Sequence, residues 1–228
     1  MNNFFYLFVF FVSLNLANSQ IYEIGVFGGG SNFVGDIGST TFLAPKKLAI
    51  GGLIKWNRSP RHSYRISVIY TSIFANDILS SDPKRQDRGY FFNAKALDIS
   101  AGIEFTFLDF DLHKNGLTFS PYIYTGLSML NHPNFYFGYN ELIPEKTRSL
   151  AYGIPIALGA KLRLSEHFII GLEITSRYTL SDEIDGSVPD NPELNFAKFG
   201  NINNNDWYMF SGLTLTYTFG RNPCYCSY

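Results

Sequence analysis

After position 16 the sequence has no apolar run near twenty residues, so no membrane-spanning helix is expected in the rest of the chain. Charge is scarce. Asp, Glu, Lys and Arg together make up 16% of the residues, against about 25% in an ordinary soluble domain. The 18 basic and 19 acidic side chains nearly cancel, to a formal net charge of −1, which gives no field to hold nucleic acid or an anionic surface. The four histidines, His62, His113, His132 and His167, are scattered, so no metal-ligand set or cofactor is expected. His132 alone falls in a long connection, where Glu141 or Glu145 offers an acid to orient it. That is too little for a catalytic triad, and the chain does not read as an enzyme. Cysteine is almost missing. Cys224 and Cys226 are the only two, both among the last five residues.

What is present is aromatic and alternating. Twenty-two Phe and 15 Tyr bring the aromatic share to 17%, a composition suited to β-strands and interfaces. The first 19 residues stand apart. Their apolar stretch from Phe4 to Leu16, followed by the small residues Ala17 and Ser19, reads as a signal peptide cleaved after Ser19. The rest divides into eight segments of period-2 alternation. One parity is apolar, as in Tyr64, Ile66, Val68, Tyr70, or Leu213, Leu215, Tyr217, Phe219. The other is small, polar or charged.

Alternation alone fits a soluble sandwich as well as a barrel. Two further features favour the barrel. The connections alternate in length: Asn57–Arg61, Asp109–Gly116 and Ser165–His167 are short, whereas Ser31–Lys47, Ala75–Tyr90, Asn131–Ser149 and Leu180–Asn205 are long and polar. The apolar parity also turns aromatic where strands meet the short turns, at Trp56, Tyr64, Phe107, Phe119, Phe168, Tyr217 and Phe219. In a barrel these residues form one belt at a membrane interface. A lipocalin has the opposite polarity, with an apolar interior.

The expectation is therefore an all-β fold: an eight-stranded antiparallel transmembrane barrel over residues 20–220, of the small OmpA/OmpX type, facing outer-membrane lipid. The opposite parity carries Lys55, Arg65, Lys161, Arg163 and Arg177 against Glu23, Asp98, Glu104 and Glu173. A lumen this narrow is filled by side chains, so these charges are expected to pair as a salt-bridged plug. "SDEIDG" (181–186) is rich in oxygen ligands but does not have EF-hand spacing, and reads as a solvated charge cluster.

With eight strands both termini leave on the short-turn side, so residues 221–228 form a periplasmic tail. In an extended tail Cys224 and Cys226 point the same way. Two pairings stay open: a tight, strained ring between the two, or a disulfide from one of them to a partner.

The segments "IYEIGVFGGGSNFVGDIG", "WNRSPRHSYR", "PYIYTGLS", "RYTLSDEIDGS" and "NNNDWYMFSGLTLTYTFGRNPCYC" together resemble the PorG family, outer-membrane barrels of the type IX secretion system of Bacteroidota. The ending is the most specific of them. The resemblance implies a non-enzymatic part of a secretion machine, associated with a periplasmic ring of the lipoprotein PorK and its partner PorN. An adhesin or ligand-binding barrel acting through its long loops is the alternative.

Overall fold

A computed structural model describes residues 21–111, 118–138, 141–201 and 204–220. The expected signal peptide, His113, and the tail with Cys224 and Cys226 lie outside the described residues. Eight strands close into one antiparallel barrel in sequence order. They are β1 (Ile21–Val34), β2 (Lys47–Asn57), β3 (His62–Asn76), β4 (Phe91–Thr106), β5 (Phe119–Gly138), β6 (Glu141–Arg163), β7 (Phe168–Thr179) and β8 (Trp207–Phe219). Closure comes from β1 against β8, where Tyr22 faces Phe219 and Val34 faces Trp207. A closed barrel leaves no sheet edge with unpaired backbone groups, which is what a strand needs in order to cross lipid.

The alternation in the sequence is the alternation of the wall. In β3 the burial pattern runs exposed, buried, exposed, buried from His62 onward. Outward positions are large and apolar: Leu127 is 74% exposed and Leu158 63%. Inward positions hold the buried charges. Short connections at 58–61 and 164–167 fall where expected, and most of the expected Asp109–Gly116 turn lies outside the described residues.

One long connection differs from expectation. Residues 131–149 are not a loop. β5 runs to Gly138 and β6 starts at Glu141, so the two strands rise above the wall as a hairpin. A register shift between Pro133 and Phe135 and Lys146 at φ 61° bend it. Such a bulge redirects a strand without ending its pairing. The bend lets Phe135 and Phe137 turn inward over the barrel mouth, where both are buried. Residues 77–90 contain a six-residue helix, α1 (Pro83–Arg88), capped by the Asp82 side chain and closed by Gly89 in the left-handed region.

The interior is not uniformly polar, contrary to the expected polar lumen. Most of the charged groups lie toward the short-turn end, with the Arg177–Asp98 pair higher up, opposite Tyr208 and Ile69. Alongside and above them Phe27, Leu53, Ile69, Ile73 and Phe210 form an apolar core continuous with Phe33, Phe92, Phe135 and Phe137 at the long-loop end. These residues share the parity of the charges, and buried apolar packing there stabilises the barrel much as it would a soluble core.

Candidate functional site

The lumen is closed by a network that draws on six strands. Glu104 of β4 sits at its centre. Lys55 Nζ of β2 lies 2.6 Å from one of its oxygens and Lys161 Nζ of β6 2.9 Å from the other. Arg65 of β3 reaches Glu104 at 4.0 Å and pairs bidentately with Glu173 of β7 through Nη1 and Nη2. Tyr122 of β5 donates its hydroxyl to Glu173 at 2.8 Å, and Thr175 donates at 2.7 Å. Tyr122 can lie there because Gly159 and Gly171 face it, and a Cβ on Gly159 would overlap its ring. Higher up, Arg177 and Asp98 pair at 3.4 Å, and the Tyr208 hydroxyl donates to Asp98 at 2.7 Å.

The nine charges named from the sequence are all buried, and seven of them join in ion pairs. Glu23 accepts from the Asn57 amide at 2.7 Å and the Thr216 hydroxyl at 2.9 Å, and has no ion pair among the described residues. Its neighbours on β2 and β8 supply neutral donors, which satisfy a carboxylate without a counter-charge. Arg163 is buried at the short-turn end of β6, its N–H bonded to the Thr118 carbonyl.

Both mouths are plugged. At the short-turn rim Phe110 is buried, its N–H bonded to the Pro60 carbonyl. Its ring lies 4.7 Å from Lys161 Nζ. At the long-loop rim Tyr90 stacks on Phe137 at 4.2 Å, Phe199 and Phe92 join edge-on or tilted, and Arg88 lies over both Tyr90 and Phe199 at 4.9 Å.

The exterior has two aromatic belts, where sequence reasoning anticipated one. Tyr64, Phe107, Phe119, Phe168, Tyr217 and Phe219 are exposed at the short-turn end. Trp56 packs tilted against Tyr64 there, and Phe168 edge-on against Tyr217. A second set lies at the long-loop end: Tyr70, Phe91 and Tyr152 are exposed, and Trp207 packs between Tyr178 and Phe42. Tyr70, already on the apolar parity in the sequence, and Phe91, Tyr152, Tyr178 and Trp207, which longer strands would have added, share the outward parity, whereas Phe42 lies in the connection after β1. Trp207 and Tyr217 are ten residues apart on β8. At a rise of about 3.3 Å and a tilt near 40° they stand about 25 Å apart, the height of a lipid-facing band. No Asp, Glu, Lys or Arg points outward on β8 between them.

Two sequence expectations about the long-loop rim change. His132 is fully buried, and its Nδ1 has only the Pro133 carbonyl, at 3.3 Å. Glu145, an acid the sequence offered to orient it, instead accepts from the N–H groups of Asp190 and Asn191. The acids of "SDEIDG" are not a solvated cluster: Asp182 and Asp185 are buried together with Asp36 and Asp206. Loop 4 (180–206) folds back over the mouth, because Asp185 accepts the N–H of Asp36 at 2.8 Å and of Ser187 at 3.0 Å.

Three solved outer-membrane barrels resemble the chain. The N-terminal barrel domain of Pseudomonas aeruginosa OprF is 13% identical, over 89% of this chain and 98% of its own, at a TM-score of 0.49. Yersinia pestis Ail, the attachment invasion locus protein, is 11% identical over 88% and 99%, also at 0.49. Neisserial surface protein A is 10% identical over 88% and 97%, at 0.46. No curated protein matches the sequence. A family model does match, from residue 2 to residue 228, and on that match the chain belongs to the family described as a domain of unknown function, DUF6089.

Proposed function

We propose that the protein is a non-enzymatic outer-membrane barrel of a type IX secretion apparatus that fastens a periplasmic ring, of the PorK and PorN kind, to the membrane. The observation that carries the membrane reading is the exterior, an apolar band bounded by two aromatic belts on a closed barrel. The resemblance of five segments to the PorG family supports the secretion reading. The filled lumen supports it as well, since it leaves the two rims as the working surfaces.

Membrane placement has a quantitative test. Leu213 is 52% exposed near the middle of the band. Leu213→Arg is expected to destabilise the protein by about 2–4 kcal/mol, the range for a cation on the lipid face at the bilayer midplane. The measurement is urea titration of folding in lipid vesicles, with Leu213→Ala as reference. A cost near zero would mean that water, not lipid, meets this face.

Ring attachment is tested at the tail. Tyr22 and Phe219 pair at the short-turn rim, so the chain beyond Gly220 leaves from the side with short turns, periplasmic in such barrels. A disulfide from Cys224 or Cys226 to the ring supplies an attachment that eight residues lack the surface to make tightly by contact alone. Non-reducing gels of whole cells should show a high-mass adduct that disappears with reductant and in the Cys224→Ser/Cys226→Ser variant. Normal secretion by that variant, with no adduct in wild type, would exclude the tether. Function would then move to the long-loop rim, the second reading, where Phe196 stands 79% exposed.

A further inference from the structure

The long-loop rim holds five buried aspartates, and one of them shows what the other four lack. Asp77 is fully buried and fully compensated. Arg88 Nε donates to it at 2.7 Å, and the N–H groups of Gly38 and Tyr90 bond it at 2.8 and 3.1 Å. Among the described residues Asp36, Asp182, Asp185 and Asp206 have no such cation. Asp36 and Asp182 are 8% exposed, Asp185 and Asp206 0%. Among those residues neither carboxylate oxygen of Asp182 has a hydrogen-bond partner, nor does Oδ1 of the fully buried Asp206. Oδ2 of Asp206 accepts the Ile184 N–H at 3.1 Å, and Asp36 accepts the Asn201 N–H at 3.0 Å.

Buried carboxylates in such proximity must be neutralised, by cationic side chains, a metal ion or protons. The guanidiniums nearest the group are committed elsewhere. Arg85 donates to the carbonyls of Gly35 and Gly38, and Arg88 to the carbonyl of Asp36 as well as to Asp77. Among the described residues no three His, Cys, Asp or Glu side chains converge as a metal site. Protons remain. We infer that Asp182, Asp185 and Asp206, packed against Asp36, form a proton-held latch that keeps loop 1 (35–46) and loop 4 closed over the barrel mouth and releases them as the pH rises.

The geometry makes the latch effective. Asp36 belongs to loop 1 and Asp182, Asp185 and Asp206 to loop 4, Asp206 at its last position before β8, so repulsion between Asp36 and the other three separates the two loops. The Asp185 bonds to the N–H groups of Asp36 and Ile37 are the direct link that this repulsion opposes. The charged groups facing the latch are Glu183 from loop 4, Asp77 from the connection after β3, and Arg85 and Arg88 from α1. Asp190 and Glu145 lie beyond Glu183 and act on it. β5 contributes the Phe135 ring against Gly186. Under the latch lie Phe33, Phe92, Phe135 and Phe137, apolar surface that opening would uncover.

Burial first, and then the charges of Asp185 and Asp36, push the Asp182 carboxyl up to about 7. Burial, with Asp185 and Asp182, holds Asp206 well above the usual carboxylate range, and burial also raises Asp185. Groups raised in the closed state contribute fully below the carboxyl value of the open state, about 3.9. They lose that contribution as the pH climbs to their closed values. Each proton released on opening changes the open-to-closed ratio about tenfold per pH unit inside that window.

The test is hydrogen exchange of the full chain in detergent micelles from pH 5 to 8, corrected for intrinsic exchange. Protection of loops 1 and 4 should fall at least about tenfold per unit between pH 5 and 7, while β4 and β7 hold theirs. Asp182→Asn/Asp206→Asn should flatten the profile. If that variant does not fold, Asp182→Asn alone should reduce the slope. A wild-type profile independent of pH would overturn the latch. So would loop protection at pH 8 that EDTA removes and Ca²⁺ restores, because a cation and not protons would then hold the carboxylates.

Discussion

Glu104→Ala is expected to cost the barrel about 3–5 kcal/mol, the price of leaving buried charge without its partner. Glu104 is fully buried and, among the described residues, is the only carboxylate paired with Lys55 and Lys161, whose side chains are 4% exposed. Arg65 retains Glu173, so the loss concentrates on the two lysines. Neither has water within easy reach: Lys161 is enclosed by Phe110 and Tyr122, and Lys55 lies against Tyr122. Thr214→Ala on the same inward parity removes a hydroxyl and a methyl but no charge, and should cost about 1 kcal/mol. Urea titration in detergent, read by the heat-dependent shift of the folded band on a gel, compares the two. Equal costs would mean that the lumen is hydrated and its charges are screened. Glu104→Ala/Lys161→Met should recover part of the loss, since it removes one stranded charge along with its partner.

Gly102→Val should be about as damaging, by a different route. Gly102 of β4 and Gly126 of β5 face each other in the ladder, both inside the barrel. A Cβ on Gly102 would come within 3.0 Å of the Thr125 carbonyl oxygen and of Gly126 Cα. Those atoms are backbone, so no rotamer change can make room and the strands must part. Overpacking of this kind costs about 1–3 kcal/mol where side chains can yield, and the upper end or more is expected here. Substituting the outward-facing Gly28, whose Cβ would meet nothing within 4 Å, should be nearly neutral. The same gel assay reads both. If Gly102→Val folds as stably as Gly28→Val, the close approach of β4 and β5 is not a constraint on the wall.

Strand number, inward and outward parity, and the short-turn belt were legible because each depends on the period of a single strand. Leu213, Leu215, Tyr217 and Phe219 alternate whatever lies beside them, and a face without charge declares itself in one dimension. The buried charges were legible for the same reason, since Arg65 and Glu173 had to point away from that face. Their partners were not. Glu104 meets Lys55 and Lys161 across the lumen, and Glu23 meets Asn57 and Thr216 instead of a cation, because barrel closure and register decide which strands oppose one another.

The sequence by itself determined that residues 21–220 alternate as eight strands with an apolar outer face, since side-chain direction in a strand is a local property of the backbone. Only the tertiary structure decided that residues 131–149 are a hairpin and not a loop. It also decided that Phe27, Leu53 and Phe210 turn the upper lumen into an apolar core, and that Asp36, Asp182, Asp185 and Asp206 are buried together. Those outcomes depend on contacts between residues as far apart as Asp36 and Asp185, 149 positions along the chain, and no periodicity records what closure brings together.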